Sequence, residues 1–143
     1  WVAALERGMR LSSWVQELDG VAMSKRVLAV DDSKTMRDMI AFALRGAGFL
    51  VEAAEDGEAA LGKLATASFD LIITDLNMPK LDGIALTRSV RAMSRYRDIP
   101  IVILSSESDG ANEAVGGAAG ADGWLIKPFS PEQLVELVQR VCS

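Results

Sequence analysis

The chain has 143 residues, about the length of one domain, and half of them are apolar, which is enough for one hydrophobic core. No apolar run approaches the roughly 18 residues that a membrane span requires, and the first residues lack a signal-peptide layout. The net charge of -5, without a basic stripe, argues against direct binding of nucleic acid. The single cysteine, Cys142, excludes a disulfide framework and favours a reducing cytoplasm, and the absence of histidine excludes histidine-based catalysis.

The first 22 residues carry a separate helical pattern. Its apolar residues fall on one helical face, at Leu11, Trp14, Val15 and Leu18. Ser13 and Gln16 fit a capping box, and Gly20 fits a stop. We therefore divide the chain into an N-terminal extension over residues 1–22 and a main domain over residues 23–143, with Met23 as a suitable natural start. Three origins of the extension stay open: a docking helix, the tail of a preceding domain, or residues added by cloning or by the choice of start site.

From residue 26 onward, short apolar runs alternate with longer amphipathic segments. The runs are rich in Val, Ile and Leu, as expected of strands covered on both faces, and they span residues 26–30, 50–53, 70–74, 101–104 and 124–126. The segments with helical spacing span residues 35–45, 57–65, 84–93, 110–120 and 131–141. This alternation predicts an α/β fold in which a five-stranded parallel sheet is doubly wound, with helices on both faces.

Two of the predicted helices have particular features. In the first, most apolar residues are expected on one face, namely Met36, Met39, Ile40, Phe42, Ala43 and Leu44. The helix over residues 110–120 is expected to be marginally stable, because Gly116 and Gly117 each cost about 1 kcal/mol relative to alanine. The alternative for this segment is a phosphate-binding loop, although its glycine spacing fits neither the dinucleotide fingerprint nor the P-loop.

Polar side chains follow the predicted strands at their carboxyl ends, where the functional sites of parallel sheets usually lie. These residues are Asp31, Asp32, Asp75, Ser105, Ser106 and Lys127. Two carboxylates about 5 Å apart repel by roughly 3 kcal/mol at an effective dielectric of 20, so such a cluster calls for a cation. Oxygen ligands with open positions suit Mg2+, and a rigidly placed Asp75 could then act as a nucleophile on phosphorus. The alternative is that these residues are ordinary caps and turns, with Asp32 or Ser33 capping the first helix.

Five stretches of the sequence together resemble the receiver domain of bacterial two-component response regulators, and most closely the single-domain CheY-like chemotaxis type. They read VLAVDDSKTMR, EDG, LIITDLNMPKLDG, IVILSSE and GWLIKPF in chain order. Their order and spacing agree with the family, and the resemblance covers about residues 24–143. It implies a flavodoxin-like, CheY-like fold for the main domain.

The resemblance also implies roles for the polar cluster. Asp75 would be the phosphoacceptor, and Asp32 and Asp75 would bind Mg2+ directly, with Asp31 acting mainly through water. Asn77 would offer its backbone carbonyl as a further ligand. Lys127 would pair with the phosphoryl oxygens and be followed by a cis peptide bond to Pro128.

Further roles are implied for the response to phosphorylation. Ser105 takes the place of the switch hydroxyl and is favoured over its neighbour Ser106. Trp124 takes the place of the switch aromatic, which is usually tyrosine or phenylalanine, and its bulk departs from that pattern. Asn77 and Glu107 occupy positions that tune the rate at which water attacks the acyl phosphate.

As a whole, the resemblance implies a signalling phosphoacceptor that catalyses only its own phosphorylation and dephosphorylation. The donor would be the phosphohistidine of a sensor histidine kinase. Phosphorylation would reshape the surface of the fourth helix, fifth strand and fifth helix. The sequence ends at Ser143, directly after the fifth predicted helix, so we expect output by docking to a protein such as the flagellar motor switch. A phosphate sink or a phosphorelay intermediate is the alternative.

Two functions of other classes are weighed against this one. A phosphohydrolase with an aspartate nucleophile, of the haloacid dehalogenase family, requires a second acidic residue two positions after the nucleophile. This chain has Asn77 at that position. A passive receiver-like interaction module would not need the complete set of polar residues that this chain keeps.

Overall fold

A computed structural model describes residues 24–106 and 110–142 of the chain. Over these residues, five parallel strands form one sheet in the order β2-β1-β3-β4-β5. The strands are β1 (Arg26–Val30), β2 (Leu50–Ala54), β3 (Leu71–Asp75), β4 (Ile101–Ser105) and β5 (Gly123–Ile126). The predicted doubly wound α/β fold is confirmed. The division at residues 22 and 23 and the N-terminal helix lie outside the described residues and stay predictions.

The connections between the strands are helical. In the described part of the chain the α-helices are α1 (Lys34–Gly46), α2 (Gly57–Thr66), α3 (Gly83–Arg91), α4 (Gly110–Ala119) and α5 (Pro131–Cys142). A short 3-10 helix, Ser94–Tyr96, follows α3. Because residues 110–119 are helical, the alternative of a phosphate-binding glycine loop in this segment is wrong.

Two apolar cores lie on the two faces of the sheet, because successive strand residues point to opposite sides. On one face, strand residues such as Leu28 and Ile72 pack with Leu64 of α2 and Leu86 of α3. On the other face, the core joins strands to α1 and α5, and its buried members are Val27, Ala29, Ile40, Leu44, Val51, Leu71, Ile73, Val102, Leu104, Leu134 and Val138. The sheet is thus covered on both sides.

The structure corrects two predictions about the helices. Phe42 was expected on the inward face of α1, but 82% of its surface is exposed. Ile40 and Leu44 are fully buried, and a residue two positions away from each lies on the opposite side of a helix with 3.6 residues per turn. In addition, α3 ends at Arg91, earlier than the predicted Met93, because the backbone of Met93 is extended.

None of the helices within residues 24–106 and 110–142 is long and apolar enough to cross a membrane.

Candidate functional site

Asp31 follows β1 directly and is held in place by its surroundings. Its backbone N–H donates to Ala54 O at 3.1 Å, and its backbone carbonyl accepts from Arg37 Nη1 at 2.8 Å. The Asp31 carboxylate accepts from the backbone N–H of Ser33 at 2.9 Å and is fully buried. A charged side chain at the edge of the sheet is therefore fixed by contacts from β2 and α1.

The sequence left open whether Asp32 or Ser33 caps the first helix, and the structure shows that Ser33 does. Ser33 is the N-cap of α1, because its Oγ accepts from the backbone N–H of Met36 at 3.2 Å. Asp32 is exposed and does not cap the helix. Its carboxylate is consequently available to a ligand at the edge of the sheet.

Asp75 is the last residue of β3 and is 7% exposed. The backbone immediately after it pairs with the neighbouring strand, since Leu76 N–H donates to Leu104 O at 2.8 Å. Behind Asp75, the first residue of α3 is Gly83, and a Cβ placed there would lie 2.4 Å from Asp75 O. The helix therefore packs against the backbone of Asp75 at a distance that only glycine permits.

The structure brings the three predicted carboxylates together. Asp31, Asp32 and Asp75 each offer an oxygen, and these atoms lie within 4.8 Å of one another, as a group found among the described residues. Lys127 approaches from β5, with its Nζ 2.9 Å from Asp75 Oδ1 and 3.4 Å from Asp31 Oδ2. The Lys127–Pro128 peptide bond is cis. The site thus combines three acids with one ammonium group.

Burial and charge change the acidity of two of these groups. Burial raises the pKa of Asp31 and the nearby Asp75 charge adds to the rise, against the lowering effects of the Ser33 N–H and of Lys127. Burial lowers the pKa of Lys127, but the hydrogen bond to Asp75 and the charges of Asp31 and Asp75 outweigh it, so the net pKa is raised. Lys127 therefore stays an ammonium ion at neutral pH, while the ionised form of Asp31 is disfavoured.

The donor set fits Mg2+. The site offers only carboxylate and other oxygen ligands, it is partly open to water through Asp32, and its negative charge exceeds what Lys127 can balance. Hard divalent cations prefer oxygen ligands, and Mg2+ keeps several waters in such sites. A bound cation would also offset the Asp75 charge, which adds to the effect of burial in raising the pKa of Asp31.

The remaining predicted site residues lie at different depths. Ser105 is fully buried at the end of β4, one residue beyond the partner of Asp75 in the strand register, and Ser106 is exposed. Asn77 is exposed in the segment between β3 and α3. Trp124 is half-buried in β5. Glu107 lies outside the described residues.

The contacts that two glycines make near the site were not predicted from the sequence. Gly83 lies against Asp75 O, and Gly116 in α4 lies against the ring of Trp124. Asp82 is a good N-cap residue, and its carboxylate accepts from Ala85 N–H at 2.7 Å, so the start of α3 at Gly83 could be predicted, but its contact with Asp75 O could not. No signal in the sequence alone connects Gly116 with Trp124, because the contact joins a helix to a strand.

Comparison with known proteins agrees with this geometry. Residues 27–139 match the family described as response regulator receiver domain. The chain is 38% identical over 117 residues to the chemotaxis protein CheY of Pseudomonas aeruginosa, which covers 81% of this chain and 94% of that protein.

Two solved structures are also similar. The chemotaxis response regulator CheY4 of Vibrio cholerae is 46% identical, with a TM-score of 0.80 over 82% of this chain and 98% of that chain. The response regulator TrrA of Thermotoga maritima, solved in complex with Mg(2+)-BeF, is 31% identical, with a TM-score of 0.73 over 82% of this chain and 98% of that one.

Proposed function

The chain belongs to the response regulator receiver domain family, whose members are signalling phosphoacceptors, and from that premise we propose that Asp75 accepts a phosphoryl group in a magnesium-dependent reaction. The donor is the phosphohistidine of a sensor histidine kinase, the donor from which receiver domains accept their phosphoryl group. The observation that carries the proposal is the convergence on Asp75 of Lys127 at 2.9 Å and two further carboxylates.

In this reaction an Asp75 carboxylate oxygen attacks phosphorus. The new bond joins that oxygen to phosphorus, and the bond between phosphorus and the donor nitrogen breaks. The electron pair stays on that nitrogen, and the donor ring, protonated at its other nitrogen, leaves as neutral imidazole. Lys127 holds Asp75 Oδ1, which orients the carboxylate and leaves its other oxygen to attack. The ammonium group also lies where it can balance charge that develops on the phosphoryl oxygens.

Asp31, Asp32, Asp75 and the backbone carbonyl of Asn77 are the groups that would hold Mg2+. When bound, the ion supplies charge neutralisation for the transferred group. The protein's own share is placement, because transfers of this kind depend mostly on position and electrostatic stabilisation. Asn77 and Glu107 would tune the later attack of water on the acyl phosphate.

Phosphorylation of Asp75 would be transmitted to a partner protein by a conformational change. The phosphoryl group adds a charge of about -1.5 to -2 and strong acceptor oxygens, toward which the hydroxyl of Ser105 would be drawn. Trp124 would respond to the movement of Ser105, and the surface formed by α4, β5 and α5 would then bind a partner protein. Phosphorylation can shift the domain from one packing arrangement to another only if the two arrangements are close in free energy.

We place this output in chemotaxis, with docking on a target such as the flagellar motor switch, in the cytoplasm. The support is the similarity to two proteins named as chemotaxis regulators, one at 38% and one at 46% identity. A phosphate sink or a phosphorelay intermediate would use the same site and is distinguished by the partner it docks to.

The test is transfer from a small phosphodonor such as acetyl phosphate, read by intact mass. We expect the wild-type protein to gain one phosphoryl group in Mg2+ and none in EDTA. Asp75→Asn should gain none in either buffer. Asp38→Asn is the matched control, because Asp38 is exposed on α1 and pairs with Lys34. Incorporation into Asp75→Asn at the wild-type level would contradict the proposal.

A further inference from the structure

The indole of Trp124 lies against α4 at Gly116. A Cβ placed on Gly116 would lie 2.7 Å from Trp124 Cζ3, closer than real Cβ atoms approach other atoms, and 3.3 Å from Trp124 Cε3, which is a tight contact. Ile103, which is paired with Trp124 in the strand register, would be 3.3 Å away through its Cδ1. Gly116 itself is buried. The absence of a side chain at position 116 thus forms a notch that the outer ring of the indole occupies.

The neighbouring glycine has no such role. A Cβ on Gly117 would meet no described atom within 4 Å, and Gly117 is exposed. The two glycines lie in the same last turn of α4, which closes with hydrogen bonds from Gly120 N–H to Gly117 O and from Ala121 N–H to Gly116 O, both 3.0 Å. They therefore share one backbone environment, and only Gly116 is required by the aromatic ring.

The indole is held in the notch by packing. Trp124 Nε1 is buried, and it has no hydrogen-bond partner among the described residues. A buried N–H without an acceptor is unfavourable, and this donor would regain a partner if the ring moved into water. Packing against Gly116 consequently favours the ring in the notch, whereas the missing hydrogen bond favours a ring that is exposed to water.

We propose that Gly116 is a positioning residue of the phosphorylation switch: its missing side chain seats the indole of Trp124 and sets how readily the ring leaves that seat when Asp75 is phosphorylated. The inference deepens the proposed function and rests on it for the role of phosphorylation. It also explains how a receiver can carry the larger tryptophan at the aromatic position, since the extra ring is accommodated by the glycine opposite.

The test uses the full chain labelled with 15N-tryptophan, and the indole N–H signal of Trp124 is assigned by its loss in Trp124→Phe. Without phosphodonor, Gly116→Ala should shift this signal and speed its exchange with water by about tenfold or more, because the displaced ring is solvated. Gly117→Ala, the matched control, should leave both unchanged. A Trp124 signal in Gly116→Ala that coincides with wild type would overturn the proposal.

Thermal unfolding separates the notch from helix propensity. Gly117→Ala should raise the Tm by about 2 °C, because alanine favours the helix, whereas Gly116→Ala should lower it. In a Trp124→Phe background the smaller ring does not fill the notch, so Gly116→Ala should then raise the Tm as Gly117→Ala does. A lowered Tm for Gly116→Ala in both backgrounds would show a structural effect unrelated to Trp124 and would contradict the proposal.

The link to phosphorylation is read by adding beryllofluoride with Mg2+. The wild-type Trp124 signal should move, and in Gly116→Ala the movement should differ from the wild-type movement by at least about twofold, because the ring starts from a different position. Equal movement in both proteins would overturn the positioning role while leaving the proposed function intact. If the wild-type protein instead fails to take a phosphoryl group in the mass measurement, the proposed function fails, and the position of the ring without phosphodonor still stands as a separate result.

Discussion

At the scale of single residues, the site is a balance between crowded acids and one cation. Asp31 and Asp75 both lie within reach of Lys127 Nζ, and all three side chains are largely buried. The pKa of Asp31 is raised mainly by burial and further by the Asp75 charge, so ionised Asp31 is unfavourable in the metal-free site. Affinity for a cation and reduced stability of the folded protein then have the same cause.

Removal of the ammonium group should weaken both the fold and the chemistry. In metal-free buffer, we expect Lys127→Met to lower the free energy of unfolding by about 2 kcal/mol, because two buried carboxylates lose their partner. The rate of phosphorylation should fall by about 100-fold, since charge on the transferred group is no longer balanced. Urea unfolding and the mass measurement check the two effects. Lys34→Met, which changes an exposed ion pair on α1, should leave both almost unchanged.

Neutralising Asp31 should have the opposite effect on stability. In EDTA at neutral pH, Asp31→Asn should raise the free energy of unfolding by about 1 kcal/mol, because an ionised buried carboxylate is removed. The folded-state pKa of Asp31 is raised, so ionised Asp31 destabilises the protein above that pKa and ceases to do so as the pH falls through it.

The difference in stability between Asp31→Asn and wild type should therefore shrink on acidification, as followed by urea unfolding at a series of pH values. Asp38→Asn is the control, because the hydrogen bond from Lys34 lowers the pKa of this exposed carboxyl group and its removal should slightly destabilise the protein. A destabilised Asp31→Asn at neutral pH would contradict this account of the site.

At the scale of elements, the strands and their carboxyl ends were predictable, while the ends and contacts of some helices were not. Each strand is a short apolar run between helical patterns, and the polar residues at the carboxyl ends of β1, β3 and β5 are predicted from the order of the elements. The end of α3 is decided by tertiary contacts. Arg91 donates to Gly120 O and Tyr96 O, and it pairs with Asp122. Contacts between distant segments of this kind leave no periodic pattern in a sequence.

The packing of α3 against β3 makes a prediction at this scale. Gly83→Ala should lower the free energy of unfolding by about 3 kcal/mol, because the new Cβ would lie 2.4 Å from the carbonyl oxygen of Asp75. Phosphorylation should fall with it, since the backbone that carries the phosphoacceptor must shift. Gly62→Ala in α2 is the matched control: its Cβ would meet no described atom within 4 Å, so it should stabilise the protein by up to about 1 kcal/mol. Equal stabilities of the two variants would show that α3 can move away at little cost.

At the scale of the whole molecule, the sheet order explains why residues far apart in the chain meet. In the order β2-β1-β3-β4-β5, β1 and β3 are neighbours, so Asp31, which follows β1, lies beside Asp75, which ends β3, and Lys127 follows the edge strand β5. The general arrangement was predictable because parallel strands place their carboxyl ends on one edge. The sequence could not show that Trp124 and Gly116 share one contact, or that Phe42 faces away from the core, because these depend on side-chain packing in three dimensions.

The most direct measurement locates the acyl phosphate along the chain. After incubation with acetyl phosphate and Mg2+, the protein is reduced with borohydride, which converts a phosphorylated aspartate to homoserine, and its peptides are mapped by mass spectrometry. We expect homoserine at position 75, and none in EDTA or in Asp75→Asn. Homoserine at another aspartate with Asp75 unmodified, or equal modification without Mg2+, would contradict the account of the site.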